Sequence, residues 1–457
     1  MPVADLSELP GLAQWAQRCG FASLWLGPLL LMPADSPVGP YSPESRFLLD
    51  PLYLPPLGRE SPHGVSTQQR LKAQRAARAA AYLDADPDLI RSQDAYDTGA
   101  EARIRGLLRP RQIDLAGQVY LRLAGRAGVD EVELREAVVT SQALAHGLIA
   151  RANRSLPIGL DMPVGVVPGG VDAVALGDWV LKEGALGAPP DYFNPNGQSW
   201  GIVGFDLGAF PDEDGGFPLI GALQTFAEAA RGFRIDHAIG LQRLCVVPDR
   251  DEGIGTPVFV PQPRDRTLSQ LAKIAEAGEL TLVAEDLGAV PEGLREALLG
   301  AGLLLSKVLC FEQEAPITYP VASALSFGTH DTPTLRQLAG DCAEPADFGE
   351  APARVAAHLQ RAVGGMGIDR RFRAAAAELA GTGSADYFDE VLPKALQVLA
   401  AAPSMMPLIS LRDLLGSCER LNLPGVPQGQ RDNFFLPLFG RAQFRSLIGL
   451  DQIFDGC

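Results

Sequence analysis

Four apolar runs of this chain end on acids: LPIGLDM at Asp161, FRIDHA at Asp236, TLVAEDLG at Glu285 and ALSFGTHD at Asp331. A carboxyl group at the end of an apolar strand can attack as an anion or deliver a proton as an acid, and its surroundings decide which. In FRIDHA, Arg234 and Asp236 are two apart, and residues two apart on a strand share a face. The guanidinium therefore lies beside the carboxylate and favours its ionised form, the state a nucleophile needs. The same pairing would also serve as a buried structural ion pair.

TLVAEDLG sets Glu285 and Asp286 side by side, so alternation sends them to opposite faces. Glu285 follows an apolar stretch, where desolvation favours the protonated form that a general acid requires. Asp286, before Leu-Gly, reads as a helix N-cap or a loop-stabilising acid. SFGTHDTPTLR places His330 and Asp331 at a third exit, where a plain loop hydrogen-bond pair is the alternative. Retaining glycosidases need a nucleophile and an acid/base about 5–5.5 Å apart, which neighbouring barrel strands can deliver, while a third acid could hold sugar hydroxyls. Three acids with two basic partners, each at an inferred strand end, point to a glycoside-processing site.

The elements that must position these residues are seven apolar runs separated by helical patterns, the mark of β/α units on a parallel sheet. The runs are 21–29, 156–166, 233–238, 281–288, 303–312, 324–331 and 406–414. Helices are expected over 9–20, 67–84, 290–302 and 354–367, the last two stopping on glycines. Residues 40–150 read as an inserted helical subdomain. Residues 167–230, rich in turn formers, read as a long loop region at a strand's exit.

Composition removes competitors. Apolar residues make up 47% of the 457, enough for a substantial core. Lys plus Arg number 39 against 55 Asp plus Glu, and the formal charge of −16 would repel nucleic acid and anionic membranes. Neither is expected as a partner. The six cysteines, Cys19, Cys245, Cys310, Cys342, Cys418 and Cys457, form no C-x-x-C pair, so reduced thiols in a cytoplasmic setting are expected, with no disulfide framework and no zinc site. The five histidines include no H-x-H pair, which argues against a metal hydrolase. No export signal or bilayer-length apolar stretch is read.

The chain resembles the amylomaltases, also called disproportionating enzymes: 4-alpha-glucanotransferases of glycoside hydrolase family 77, in the α-amylase clan. The segments that carry the likeness include PYSPESRFLLDPLYL (40–54), DMPVGVVPGG (161–170), GAPPDYFNPNGQSWG (187–201), FRIDHAIGLQRLCVVP (233–248), AEDLGAVPEGL (284–294), GTHDTPTLR (328–336) and LNLPGVP (421–427). The resemblance implies a (β/α)8 TIM-type barrel over 1–457 with helical and loop insertions, its first strand missing or reduced. It implies Asp236 as nucleophile, Glu285 as acid/base and Asp331 as stabiliser of the distorted sugar, with Arg234 orienting Asp236 and His330 contacting the sugar. By the same likeness the 187–201 loop arches over the cleft, offering Tyr192, Phe193 and Trp200 as sugar platforms. Tyr41 would lie near the donor subsites and Asp161 would support the catalytic floor. Maltooligosaccharides or other α-1,4-glucans are the implied partners, and no cofactor or metal is called for. An α-amylase-like hydrolase and a catalytically impaired glucan-binding relative are the alternatives.

Overall fold

All seven apolar runs contain parallel strands: β1 (Leu24–Leu26), β2 (Ile158–Met162), β3 (Gly232–Ile235), β4 (Thr281–Ala284), β5 (Leu304–Val308), β6 (Ser323–Ser326) and β7 (Met406–Pro407). The computed structural model describes residues 5–35, 39–57, 67–190, 197–210, 217–248, 256–342, 348–362 and 386–422. Two compact units emerge, one from Pro2–Gln14 with Ala22–Leu303, the other from Trp15–Phe21 with Leu304–Cys457 and Met1.

In the first unit β1, β2, β3 and β4 lie side by side in sequence order. Every residue of β2 is buried, as expected for a parallel strand covered on both faces. Gly159 of β2 and Gly232 of β3 are register partners, and the Trp25 indole of β1 lies against both. A Cβ on Gly232 would stand 2.7 Å from Trp25 Cη2, and one on Gly159 would come closer still. The register also sets Asp161 opposite Arg234, and Ala284 opposite Ile235.

Between β1 and β2 in sequence lie the helices Thr67–Asp84, Pro87–Arg91, Thr98–Leu107, Pro110–Ala124 and Glu131–Asn153. Asp130 caps the last of these by accepting from the Val132 and Glu133 N–H groups. Buried Arg75 on the first insert helix pairs with buried Asp50 at 2.6 Å. Asp50 also accepts from the N–H groups of Met32 and Leu52, so the buried charges are compensated and hydrogen-bonded.

The 167–230 stretch is more ordered than the expected loop. It holds helices Val171–Ala175 and Phe217–Phe226 and a strand, Ala185–Ala188, that pairs antiparallel with Arg243–Val247 and Gln198–Ser199. Val258–Pro261 completes a four-stranded sheet. The strand was hidden because ALGA has no β-branched or aromatic residue. FPLIGALQTF is apolar nearly all round, so it shows no stripe at helical spacing. The expected helix over 290–302 begins later, at Leu294, after Gly293 in the left-handed region.

In the second unit β5, β6 and β7 are parallel neighbours. The expectation of reduced thiols throughout is corrected there: Cys342 and Cys418 form a disulfide, 76 residues apart in sequence. No local spacing could announce a pair so distant. Cys245 and Cys310 are free, and Cys457 lies outside the described residues. Among the described residues no helix is long and apolar enough to cross a membrane. Replacing Cys342 or Cys418 by Ala is expected to lower the unfolding free energy by about 2–4 kcal/mol. Urea unfolding under oxidising conditions measures it, and midpoints equal to the wild type's would contradict the effect.

Candidate active site

Arg234 points from β3 toward two acids at once. Its Nη1 donates to Asp161 on β2, at 2.8 Å from each carboxyl oxygen, and to Asp236 Oδ1, also at 2.8 Å. The Asp236 contact is the one expected from side chains two apart on a strand. The Asp161 contact follows from cross-strand register, which sequence alone does not reveal. Asp161 Oδ2 also accepts from the Tyr41 hydroxyl at 2.6 Å. Asp161 is 8% exposed, whereas Asp236 and Arg234 are each 20% exposed, so the network is buried at Asp161 and open at Asp236.

Glu285 leaves β4 directly beside Asp236, its N–H donating to the Ile235 carbonyl at 3.0 Å. Its Oε2 accepts the His237 backbone N–H at 2.8 Å. Burial, partly offset by Arg234 and reinforced by Asp236, pushes the Glu285 carboxyl up to about 7. The two neighbouring exits therefore differ: Asp236 holds a guanidinium, while Glu285 favours its proton. Asp286 is fully buried and accepts instead from Arg295 Nε at 2.6 Å. It is a loop-stabilising acid rather than a helix cap.

Trp200 closes against His237, ring centroids 4.9 Å apart and nearly perpendicular. Its indole N–H donates to Gln198 Oε1 at 3.3 Å. Tyr192 and Phe193 lie outside the described residues.

His330 and Asp331 follow β6 in the second unit and are described there by themselves. His330 Nε2 stands 3.1 Å from Asp331 Oδ2. Asn422 donates its amide to Asp331 Oδ1 and its backbone N–H to the His330 carbonyl, and Arg420 donates to the Asp331 carbonyl. The 413–422 segment is held to this loop by Thr334 Oγ1 on the Ser417 carbonyl, Leu335 N–H on Asp413 and Arg336 on the Gly416 carbonyl. The disulfide joins the same two stretches. Asn422 falls within the LNLPGVP motif, but the motif gave it no role, and nothing in the sequence singled out Arg420 or the backbone of His237.

A guanidinium-paired aspartate and a proton-holding glutamate thus stand at adjacent ends of parallel strands, where β/α-barrel enzymes carry their sites. The chain belongs to the 4-alpha-glucanotransferase family, glycoside hydrolase family 77, whose sequence profile matches residues 136–434. It is 32% identical over 320 residues to a 4-alpha-glucanotransferase of Mycobacterium tuberculosis, a match covering 65% of this chain and 42% of that protein. A 4-alpha-glucanotransferase of Haemophilus influenzae is 30% identical over 198 residues, covering 42% of this chain and 28% of that protein. The chain thus spans less than half the length of these relatives. In fold it is similar to the amylomaltase of Corynebacterium glutamicum, with TM-score 0.69, 22% identity and coverage of 96% of this chain and 69% of that one. The amylomaltase of Streptococcus agalactiae, solved in complex with acarbose, matches with TM-score 0.63 and 16% identity over 98% and 96% of the two chains. The expected family and barrel-type α/β fold both hold.

The raised Glu285 carboxyl carries a signed consequence. Between the ordinary value of 4.5 and about 7 the folded chain keeps a proton that the unfolded chain releases. Its stabilising contribution is therefore full below pH 4.5 and lost as pH rises through about 7. Each tenfold gain in proton affinity on folding contributes about 1.4 kcal/mol. Glu285→Gln, neutral at every pH, is expected to melt higher than the wild type at pH 8 and to lose that advantage at pH 4.5. Parallel melting curves at the two pH values would refute this.

Proposed function

We propose that this chain is a 4-alpha-glucanotransferase, passing segments of α-1,4-glucan between maltooligosaccharides by a retaining double displacement. The observation that carries the reading is the contrast between Asp236, held by Arg234, and Glu285, its neighbour with the raised proton affinity. Glu285 protonates the glycosidic oxygen while Asp236 attacks C1, forming a β-glucosyl aspartate and releasing the reducing-side sugar. Glu285, now ionised, takes the proton of an acceptor 4-hydroxyl, and that oxygen displaces Asp236 with net retention.

Arg234 orients Asp236, and Asp161 with Tyr41 holds Arg234 from behind. Asp331 takes sugar hydroxyls as the ring flattens toward the transition state, with His330 beside it. Tyr192, Phe193 and Trp200 serve as apolar platforms for sugar faces, and the 167–230 stretch keeps water from the intermediate. The chemistry uses no cofactor and no metal. The reading carries a cytoplasmic setting, which the Cys245 and Cys310 thiols fit, whereas the Cys342–Cys418 bond favours a more oxidising one.

Maltotriose is the discriminating substrate. A transferase converts it to glucose and a ladder of longer chains, whereas a hydrolase yields only shorter products; a chain that binds maltooligosaccharides without turnover is neither. Asp236→Asn should abolish the ladder, and Glu285→Gln should slow it on the order of 10²- to 10⁴-fold. A 2-deoxy-2-fluoro glucosyl donor should leave its label on Asp236. Label on any other residue would overturn the scheme.

A further inference from the structure

Among the described residues only His237 and Glu279 combine a side chain with a positive φ. His237, at φ 48° and ψ 56°, directly follows Asp236 and sits in the left-handed region that residues bearing a Cβ populate sparsely. What this conformation achieves is specific. It turns two consecutive N–H groups onto the neighbouring strand exit: that of His237 donates to Glu285 Oε2 and that of Ala238 to the Glu285 carbonyl, each at 2.8 Å. The two N–H groups belong to the peptide units on either side of the His237 Cα, so both bonds depend on the φ and ψ held there.

The imidazole itself is a poor candidate for chemistry. Burial lowers its pKa to about 4, so it is neutral near pH 7, and the Trp200 ring lies nearly perpendicular against it. Strained backbone of this kind persists where surrounding structure holds it, and it clusters at functional sites.

We propose that His237 is a positioning residue whose left-handed backbone, rather than its imidazole, aims the N–H that fixes one carboxyl oxygen of Glu285 and leaves the other for the glycosidic oxygen. The proposal rests on Glu285 being the acid/base. It makes tolerance of the left-handed region, not ring chemistry, the property that matters at position 237.

Four variants separate those properties. Glycine adopts the region freely and asparagine more readily than other residues with a Cβ; alanine pays the Cβ penalty, and valine, branched at Cβ, fits worst. The readouts are kcat and KM for maltotriose across pH 5–9, and titration of the Glu285 carboxyl by carbon-13 NMR. His237→Asn and His237→Gly should retain most of the wild-type kcat and an unmoved alkaline limb. His237→Val should lose kcat on the order of 10²-fold, the scale of a misplaced catalytic group, with KM nearly unchanged. Its alkaline limb should move upward, because the hydrogen bond donated to the carboxylate holds the Glu285 pKa down. Should the valine variant not fold, His237→Ala carries the same expectation.

Equal losses in all four variants would assign the effect to the imidazole and overturn the proposal. A fall in kcat without movement of the limb would do the same. If the wild type makes no ladder, the function proposed above fails, and the NMR titration alone still decides: the Glu285 pKa rises in Val or Ala but not in Gly or Asn, or the proposal is wrong.

Discussion

The site is organised around a single guanidinium. Asp161, Asp236 and Glu285 occupy three successive strand ends of one parallel sheet, and three carboxyl groups at that spacing would each resist ionisation by the others. Arg234 stands among them, bonded to the first two, and its charge also acts on Glu285. Because these groups are partly withdrawn from water, such interactions are stronger than on an open surface. Asp161 and Asp236 bond the guanidinium directly, while burial raises the Glu285 carboxyl to about 7. Contact with the cation at Asp236 and burial at Glu285 thereby set two chemically similar side chains apart.

That arrangement is only as good as the register beneath it. Asp161 meets Arg234 because β2 and β3 pair with those residues opposite, and a slip of one residue would turn one of them to the other face of the sheet. Around this floor the chain uses compensated buried charges, as in Arg75 with Asp50, to join the insert to the rest of the first unit. Tyr41 extends the same logic toward the site. Its hydroxyl bonds Asp161 Oδ2, an oxygen that Arg234 also holds, so the acid has little freedom to swing away.

Much of this was legible in the amino-acid sequence. The seven strands were visible because parallel strands covered on both faces read as unbroken apolar runs, and Arg234 with Asp236 was visible because strand geometry puts alternate residues on one face. The segregation of Glu285 from Asp286 followed from the same alternation. What stayed hidden depended on distance or on backbone geometry. Tyr41 and Asp161 are 120 residues apart, Cys342 and Cys418 are 76 apart, and nothing in a histidine code letter announces a left-handed φ. Ala185–Ala188 escaped notice because small residues form a strand only when partners such as Arg243–Val247 supply the hydrogen bonds.

The Trp25 indole, wedged over Gly159 and Gly232, links three positions far apart in the chain. In a mutational library built on this scaffold, neither glycine can accept even a methyl group while the tryptophan remains. At 159 a smaller residue at 25 must come first, and that intermediate leaves a hole beside the strands bearing Asp161 and Arg234; at 232 the Thr281 carbonyl, 2.8 Å from the same methyl, still opposes the change. Adaptive walks through this corner of the sheet must cross a valley, which makes the trio a sound choice of fixed points when the strand ends above them are diversified.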